Sequence, residues 1–216
     1  MLVAQVTDNA GARGLIRALR DRPDGALLDL RVAVAACFFV VIGGQSTTGR
    51  LISTVLRTAA GNPEAWARAS AEDGFARAWV EEVVRREPPI TTWRRITREE
   101  VELSGVTVPA GAGLLLMLMG TGSDPEVFAD PDHLCPYRSN VRQNLSFGAG
   151  PHRCPGARPA LAEAEVALRE AATVLPRAQL EKDAPPSTLG LLSFRAPLRV
   201  VVRLRSANRK SPGPPS

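Results

Sequence analysis

The chain has 216 residues, enough for one substantial domain or two small ones, and its apolar fraction of 44% is ordinary for a globular protein. Its net charge of +5 comes mostly from arginine, but aromatic residues make up only 5% and no basic run is interleaved with them, which argues against a nucleic-acid-binding protein. Three cysteines, Cys37, Cys135 and Cys154, offer no disulfide framework and suit a reducing cytoplasm.

The N-terminal segment predicts neither a signal peptide nor a membrane span. Residues 1–8 lack a charged stretch followed by an apolar core. The longest apolar run, Val32 to Ile42, is too short to cross a bilayer. Residues 1–24 are predicted to form one or two short helices. We therefore expect a soluble, cytoplasmic protein with no membrane partner.

A long helix is predicted from about Leu27 to Ala60. Between Val32 and Ile42 it is apolar nearly all round, which is typical of a buried central helix. The segment Gly43-Gly44-Gln45-Ser46-Thr47-Thr48 interrupts it, because paired glycines cost roughly 1 kcal/mol each in a helix interior. Their presence indicates close approach of another group or a local kink. On this stretch alone, a packing contact with a neighbouring helix is the simpler interpretation.

Two shorter helices are predicted next along the chain. One starts in Asn62-Pro63-Glu64-Ala65-Trp66, and the other runs from Phe75 to about Arg86 and ends before Pro88-Pro89. On the second helix, Glu82 and Arg85 lie three residues apart, so they share a face and can pair. Most such pairs are solvated and contribute roughly a few tenths of a kcal/mol.

Several short strands are predicted in the following segment. Val101–Gly111 alternates apolar and polar residues around a Ser-Gly turn, which is typical of a β-hairpin. Leu114 to Met119 is predicted to be a third, fully buried strand. Leu198 to Leu204 is predicted to be one more strand near the C-terminus, and residues 206–216 to be a disordered tail.

The segment Phe147–Gly156 reads FGAGPHRCPG, and its glycine and proline spacing indicates a constrained loop that approaches another group closely. Pro155 suits the first position of a helix, so Cys154 is predicted at a helix N-terminus, where the thiolate that binds metals is favoured. Pro159 is expected to loosen the first turn of that helix. The helix is predicted from apolar residues at steps of three and four: Leu161, Ala164, Leu168, Ala171 and Leu175.

A zinc site is an alternative use of these cysteines. His133-Leu134-Cys135 and His152-Arg153-Cys154 together supply two histidines and two cysteines, which is a zinc-binding composition. One intervening residue is tighter than the usual two to four and tends to point the adjacent side chains apart. The zinc interpretation is therefore the weaker one.

The ten-residue loop resembles the haem-binding loop of the cytochrome P450 family, Phe-Gly-x-Gly-x-Arg/His-x-Cys-x-Gly, at every fixed position. The resemblance implies that Cys154 is the proximal thiolate ligand of the haem iron. It implies that His152 contacts a haem propionate and that Phe147 packs beside the thiolate. Gly148 and Gly156 would belong to the same cofactor-binding loop, and backbone N–H groups just after the cysteine would tune the sulfur.

Residues 43–48 resemble the oxygen-binding groove of the central helix in that family, Ala/Gly-Gly-x-Asp/Glu-Thr-Thr. The resemblance implies that Gly43 and Gly44 open room over the iron and that Thr47 carries the hydroxyl of a proton relay. Ser46 stands where the family has an acid. Serine can pass a proton through water but has no titratable group near neutral pH.

Two further resemblances concern arginines. Glu82-x-x-Arg85 before a Pro-Pro pair resembles a buried brace of the haem loop, and Arg138 in Pro136-Tyr137-Arg138 would complete this charged triad. Arg94 lies just before the small predicted sheet, where the family keeps an arginine that binds a haem propionate. A forked guanidinium suits such a carboxylate.

The resemblance runs from about residue 10 to residue 205 with its motifs in the family's order. It implies a mainly α fold with small β-sheets, the C-terminal half of a cytochrome P450-like fold, so that residues 1–205 are a truncated haem-binding domain. The apolar surface of the central helix would then lie uncovered. This predicts self-association or a partner chain that completes the pocket.

The activity implied by the resemblance is that of a haem-thiolate monooxygenase. Such an enzyme uses O2 and two electrons from a ferredoxin or flavoprotein partner to oxidise a small organic substrate. The alternative is a catalytically degenerate helper that binds and stabilises another enzyme. Ser46 and the missing half favour the helper, whereas the intact Cys154 loop argues against it.

Overall fold

The structure is a computed structural model that describes residues 30–184 and 187–204. The chain divides into two units, residues 1–46 and residues 47–216. The fold is mainly helical with small two-stranded sheets, as the sequence predicts. The short helices predicted in residues 1–24 and the tail predicted in residues 206–216 lie outside the described residues.

Helices account for most of the regular structure in the described part of the chain. They are α1 (Leu30–Ala60), α2 (Pro63–Ala71), α3 (Phe75–Arg86), the four-residue α4 (Leu118–Thr121) and α5 (Ala157–Val174), with 3₁₀ turns at Val141–Gln143 and Gly150–His152. None of the helices in residues 30–184 and 187–204 is long and apolar enough to span a bilayer.

Four antiparallel pairs of short strands complete the fold of the described residues. β1 (Trp93–Ile96) pairs with β4 (Gly113–Leu116), β2 (Val101–Leu103) with β3 (Val106–Val108), β5 (Ala178–Leu180) with β8 (Val202–Leu204), and β6 (Thr188–Leu191) with β7 (Phe194–Pro197).

Helix α1 differs from its prediction in two ways. It runs without a break through the paired glycines, so residues 43–48 are helical. Most of its apolar N-terminal part is not buried: Cys37 is buried, but Phe38, Phe39 and Ile42 are 64%, 66% and 56% exposed. Apolar side chains are stabilised by burial, but burial also needs a second surface that packs against them. Within residues 30–184 and 187–204, no surface covers these side chains.

The hydrophobic core of residues 47–204 is centred on α3. The buried face of α3 packs with α2, α5 and the C-terminal part of α1, as the 3.6-residue pattern requires. The fully buried core side chains include Leu51 and Val55 of α1, Val80 and Val83 of α3, and Leu168 of α5. This core holds α3 rigidly, and α3 carries both Glu82 and Arg85.

The strand predictions are partly confirmed. The β2–β3 hairpin forms around Ser104 and Gly105, whose φ angles of 49° and 79° match a tight turn. The prediction of a fully buried strand from Leu114 to Met119 is wrong. β4 covers Gly113–Leu116, its leucines are partly to largely exposed, and α4 follows directly. The C-terminal strand is shorter than predicted and forms β8.

Candidate functional site

The loop around Cys154 closes on itself through a backbone hydrogen bond. The Cys154 N–H donates to the carbonyl of Phe147 at 2.9 Å. Gly148 and Gly150 have φ angles of +71° and +70°, in the left-handed region that side chains disfavour. The glycines at these two positions therefore let the loop fold back.

The start of α5 differs from the prediction. The helix begins at Ala157 with Gly156 as its N-cap, two residues later than the start predicted at Pro155. The first helical bond runs from the Ala160 N–H to the Gly156 carbonyl at 3.0 Å. The N–H groups of the first turn have no intrahelical partner in any helix. The missing N–H of Pro159 therefore removes no helical bond, and the prediction of a loosened turn is wrong.

Cys154 is a free, half-buried thiol two residues before this N-cap. A Cβ built at Gly156 would lie 3.8 Å from its sulfur, so the backbone of Gly156 is close to the thiol. Phe147 is half-buried and packs against the hydrophobic core. The His152 side chain is exposed. The loop therefore has an anchored aromatic end and a partly accessible sulfur.

The structure joins Glu82, Arg85 and Arg138 in one hydrogen-bonded cluster. Glu82 and Arg85 side chains are 1% and 0% exposed and form a two-pronged pair, with contacts of 2.8 Å and 2.9 Å. Arg138 Nε donates to Glu82 Oε1 at 3.1 Å. The backbone N–H of Cys135 donates to the same oxygen at 3.0 Å. One buried carboxylate therefore forms ion pairs with two guanidinium groups, and this geometry stabilises the buried charges.

The remaining guanidinium N–H groups bind backbone carbonyls of the loop between α4 and Arg138. Arg85 donates to the carbonyls of Gly122, Pro131 and His133. Arg138 donates to those of Ala129, Asp130 and His133. The two arginines thus fix an otherwise irregular loop to α3. Sequence reasoning missed these partners because a carbonyl is present at every residue.

Ser146 is a further site residue that the sequence analysis missed. Its hydroxyl donates to the carbonyl of Val84 on α3 at 2.8 Å. It directly precedes Phe147, whose carbonyl binds Cys154. The cysteine loop is therefore tied to the same helix that carries Glu82 and Arg85.

The pKa of Glu82 reflects two opposing effects. Burial disfavours the charged carboxylate and alone would raise its pKa. Hydrogen bonds from Arg85, from the Cys135 N–H and from Arg138 outweigh burial and hold the pKa below the ordinary value of 4.5. Glu82 is therefore ionised at neutral pH.

This lowered pKa predicts a specific loss of stability in acid. A carboxylate with a lower pKa in the folded state contributes stability that is present above its ordinary pKa and lost as pH falls through the folded pKa. We expect the urea midpoint to fall as the pH drops below 4.5. Glu82→Gln should remove part of this dependence. An equally steep acid limb in the variant would contradict the assignment.

Gly122 is the position where a side chain would most directly disturb the charged cluster. A Cβ there would overlap the carbonyl oxygen of Arg85. We expect Gly122→Ala to destabilise the protein by about 1–3 kcal/mol, as overpacking does. Gly120→Ala is the matched control, because its Cβ would meet only Met117 at 3.8 Å. Equal urea midpoints for the two variants would contradict this prediction.

The other predicted site residues lie elsewhere in the fold. Arg94 lies within the exposed strand β1, paired with Leu115, rather than before the sheet. Gly43, Gly44 and Ser46 belong to α1 in the first unit, and Thr47 begins the second. Outside the adjacent backbone of α1, no described atom lies within 4 Å of a Cβ built at either glycine, so the part of the chain that the structure describes does not make the packing contact expected there.

The zinc alternative has no supporting cluster. Within residues 30–184 and 187–204, which include both His-x-Cys segments, no three His, Cys, Asp or Glu side chains come together as metal ligands. The two segments also serve different structures. The Cys135 backbone binds Glu82, whereas the Cys154 backbone closes its own loop.

Comparisons with known proteins identify the family of this chain. The family model of cytochrome P450 matches residues 8–186. Erythromycin C-12 hydroxylase of Saccharopolyspora erythraea is 34% identical over 161 residues, which cover 74% of this chain and 41% of the relative. Protein DesVIII of Streptomyces venezuelae is 36% identical over 166 residues, covering 71% and 39%. The chain thus spans about two fifths of the length of these relatives.

Solved structures show the same partial coverage. Cytochrome P450 CREJ, in complex with (4-ethylphenyl) dihydrogen phosphate, superposes with a TM-score of 0.84 at 28% identity, covering 94% of this chain and 50% of that one. P450BioI, in complex with an acyl carrier protein ligated to hexadec-9Z-enoic acid, gives a TM-score of 0.80 at 28% identity, with coverage of 91% and 50%. The fold therefore corresponds to about half of these solved chains.

Proposed function

Because the chain belongs to the cytochrome P450 family, we propose that it is a haem-thiolate protein of the monooxygenase type with Cys154 as the iron ligand. The observation that carries this proposal is the free, half-buried thiol in a loop closed by the Cys154–Phe147 hydrogen bond. A thiolate ligand is the donor by which such enzymes favour O–O cleavage. Residues 1–205 would form a partial haem-binding domain.

The residues present fit a haem group. The cysteine is not consumed by a disulfide, and the space beside Gly148 and Gly150 is open where a Cβ would stand. His152 and Arg94 are exposed, so both side chains are available to pair with propionates. Gly156 keeps its backbone near the sulfur without a side chain between them. We assign these residues, with Phe147, to cofactor binding.

The protein's own contribution is to position the Cys154 sulfur and to tune its properties as a ligand. The Cys154 loop supplies the sulfur, and the Glu82–Arg85–Arg138 cluster braces the helix to which Ser146 ties that loop. When bound, haem supplies dioxygen activation with two electrons from a ferredoxin or flavoprotein donor. The Thr47 hydroxyl would relay a proton. Ser46 would pass it from water, and Gly43 and Gly44 would leave room beside them.

The substrate proposed is a small organic molecule. Two related proteins support this class by what their structures contain: CREJ binds (4-ethylphenyl) dihydrogen phosphate, and P450BioI binds an acyl carrier protein ligated to hexadec-9Z-enoic acid. Both ligands combine an apolar part with a polar carrier or anionic group. Self-association, or a partner chain that completes the pocket, belongs to the same proposal.

A helper without oxygenase chemistry is the second candidate. Two observations favour it: Ser46 stands in the position of the family's acid, and Phe38, Phe39 and Ile42 expose a continuous apolar stretch of α1. Exposed apolar surface of this kind marks an interaction site. A helper would keep the fold and bind another enzyme through that surface.

The deciding experiment is a reduced-plus-CO difference spectrum of the purified chain supplied with haem. A Soret band shifted far to the red is expected if the Cys154 thiolate binds the iron. A flat trace would reject the haem-thiolate function and leave the helper. A band at the position given by a nitrogen ligand would reject Cys154 as the ligand.

A further inference from the structure

A cavity of about 260 Å³ opens beside the β6–β7 hairpin. This volume lies just below the roughly 300–1,000 Å³ range of small-molecule pockets, so a ligand that fits it is small. Part of its wall comes from the segment that leads into β1, part from the segment after β4 and part from the hairpin. The wall includes Thr91, Thr92, Met117, Met119, Leu191 and Phe194.

Two threonine hydroxyls of this wall are already used by the fold. The hydroxyls of Thr91 and Thr92 both donate to the carbonyl of Leu192, at 2.8 Å and 3.0 Å. The Thr91 carbonyl accepts the N–H of Met119 at 3.1 Å. A ligand therefore meets mainly apolar groups and two thioethers, which adapt readily to different shapes.

Arg195 is the charged residue of the cavity wall, and it is exposed. Its backbone N–H is held by the Pro89 carbonyl at 3.0 Å, which fixes the strand that carries it. In the described part of the chain, its guanidinium contacts only the weakly accepting sulfur of Met119, at 3.9 Å. No aspartate or glutamate is among the described residues that line the cavity.

A second guanidinium contacts a residue of this wall without itself lining the cavity. Arg50 lies over the ring of Phe194, with its guanidinium carbon 4.7 Å from the ring centroid. The cationic side chain that lines the cavity is therefore that of Arg195, and its positive charge favours an anion there. A neutral ligand would lack this charge–charge attraction to Arg195.

We propose that this cavity binds a small apolar molecule that carries one carboxylate or phosphate group, with Arg195 pairing with the anion. A guanidinium matches the geometry of either group through paired N–H donors. The thioethers and the Phe194 ring hold the apolar part. The inference names a substrate class and rests on the proposed function for the ligand's role as substrate, whereas binding itself does not require haem.

Isothermal calorimetry on the full chain tests the inference, with octanoate and octan-1-ol as probes of equal chain length. Octanoate is expected to bind at least tenfold more tightly than octan-1-ol. Arg195→Met should lower octanoate affinity at least tenfold and leave octan-1-ol affinity unchanged. Arg195→Lys should restore part of the loss. Arg177→Met, at an exposed arginine outside the cavity wall, is the matched control and should change neither affinity.

Three outcomes would overturn the inference: equal affinities for the two probes, an octanoate preference that survives in Arg195→Met, or no binding of either probe. Calorimetry without haem separates this result from the proposed function. An Arg195-dependent preference with a flat CO spectrum would reject the haem function alone. A red-shifted CO band without that preference would reject the cavity inference alone.

Discussion

Replacing Glu82 with alanine is expected to lower the free energy of unfolding by about 3–5 kcal/mol. The reason is that two guanidinium groups, those of Arg85 and Arg138, share this one buried carboxylate. Without it, two positive charges would remain in a site with almost no solvent access. Urea unfolding followed by far-UV circular dichroism measures the change.

The neighbouring residue on α3 provides a matched control. Glu81 also pairs with an arginine, Arg77, at 2.9 Å, but both side chains reach solvent. Exposed pairs of this kind contribute roughly 0.2–1 kcal/mol. Glu81→Ala should therefore cost far less than Glu82→Ala, although both changes remove a glutamate from the same helix. Equal losses would contradict the buried role of Glu82.

The charged cluster also explains how a distant residue can affect the cysteine loop. α3 carries Glu82 and Arg85 on one turn and offers the Val84 carbonyl to Ser146. Ser146 precedes Phe147, whose carbonyl accepts the Cys154 N–H. A shift of α3 would therefore move the sulfur through three short links.

The sequence predicted those parts of the fold that depend on residue type and spacing. The boundaries of α3 follow from its apolar period and from Pro88-Pro89, and the Glu82–Arg85 pair follows from a three-residue step. The parts it missed depend on backbone groups. The carbonyls that bind Arg85 and Arg138 have no signature in residue type, so the loop around them could not be predicted.

Burial was harder to predict than helix or strand. The N-terminal part of α1 is apolar, yet Phe38 and Phe39 are exposed because burial depends on a covering surface as well as on composition. Strand β1 was missed because Arg94 and Arg95 sit at its centre and hide any alternation. Both arginines are tolerated because every residue of β1 is exposed.

Cys154→Ser is expected to abolish the red-shifted CO band and to reduce haem retention strongly, while helical content stays unchanged. Serine keeps the backbone N–H that donates to the Phe147 carbonyl, so the loop should still close. Its hydroxyl is a far poorer iron ligand than a thiolate, because the thiolate is the form that binds metal at such sites. The loss should therefore fall on the cofactor and not on the fold.

Cys135→Ser is the matched control for this change. Cys135 is a free, exposed thiol whose backbone N–H, rather than its sulfur, binds Glu82. Its replacement should leave both the CO spectrum and the urea midpoint unchanged. A red-shifted band that survives in Cys154→Ser, or that disappears in Cys135→Ser, would show that the ligand had been misassigned. The charged cluster around Glu82 would then brace a loop with a different purpose.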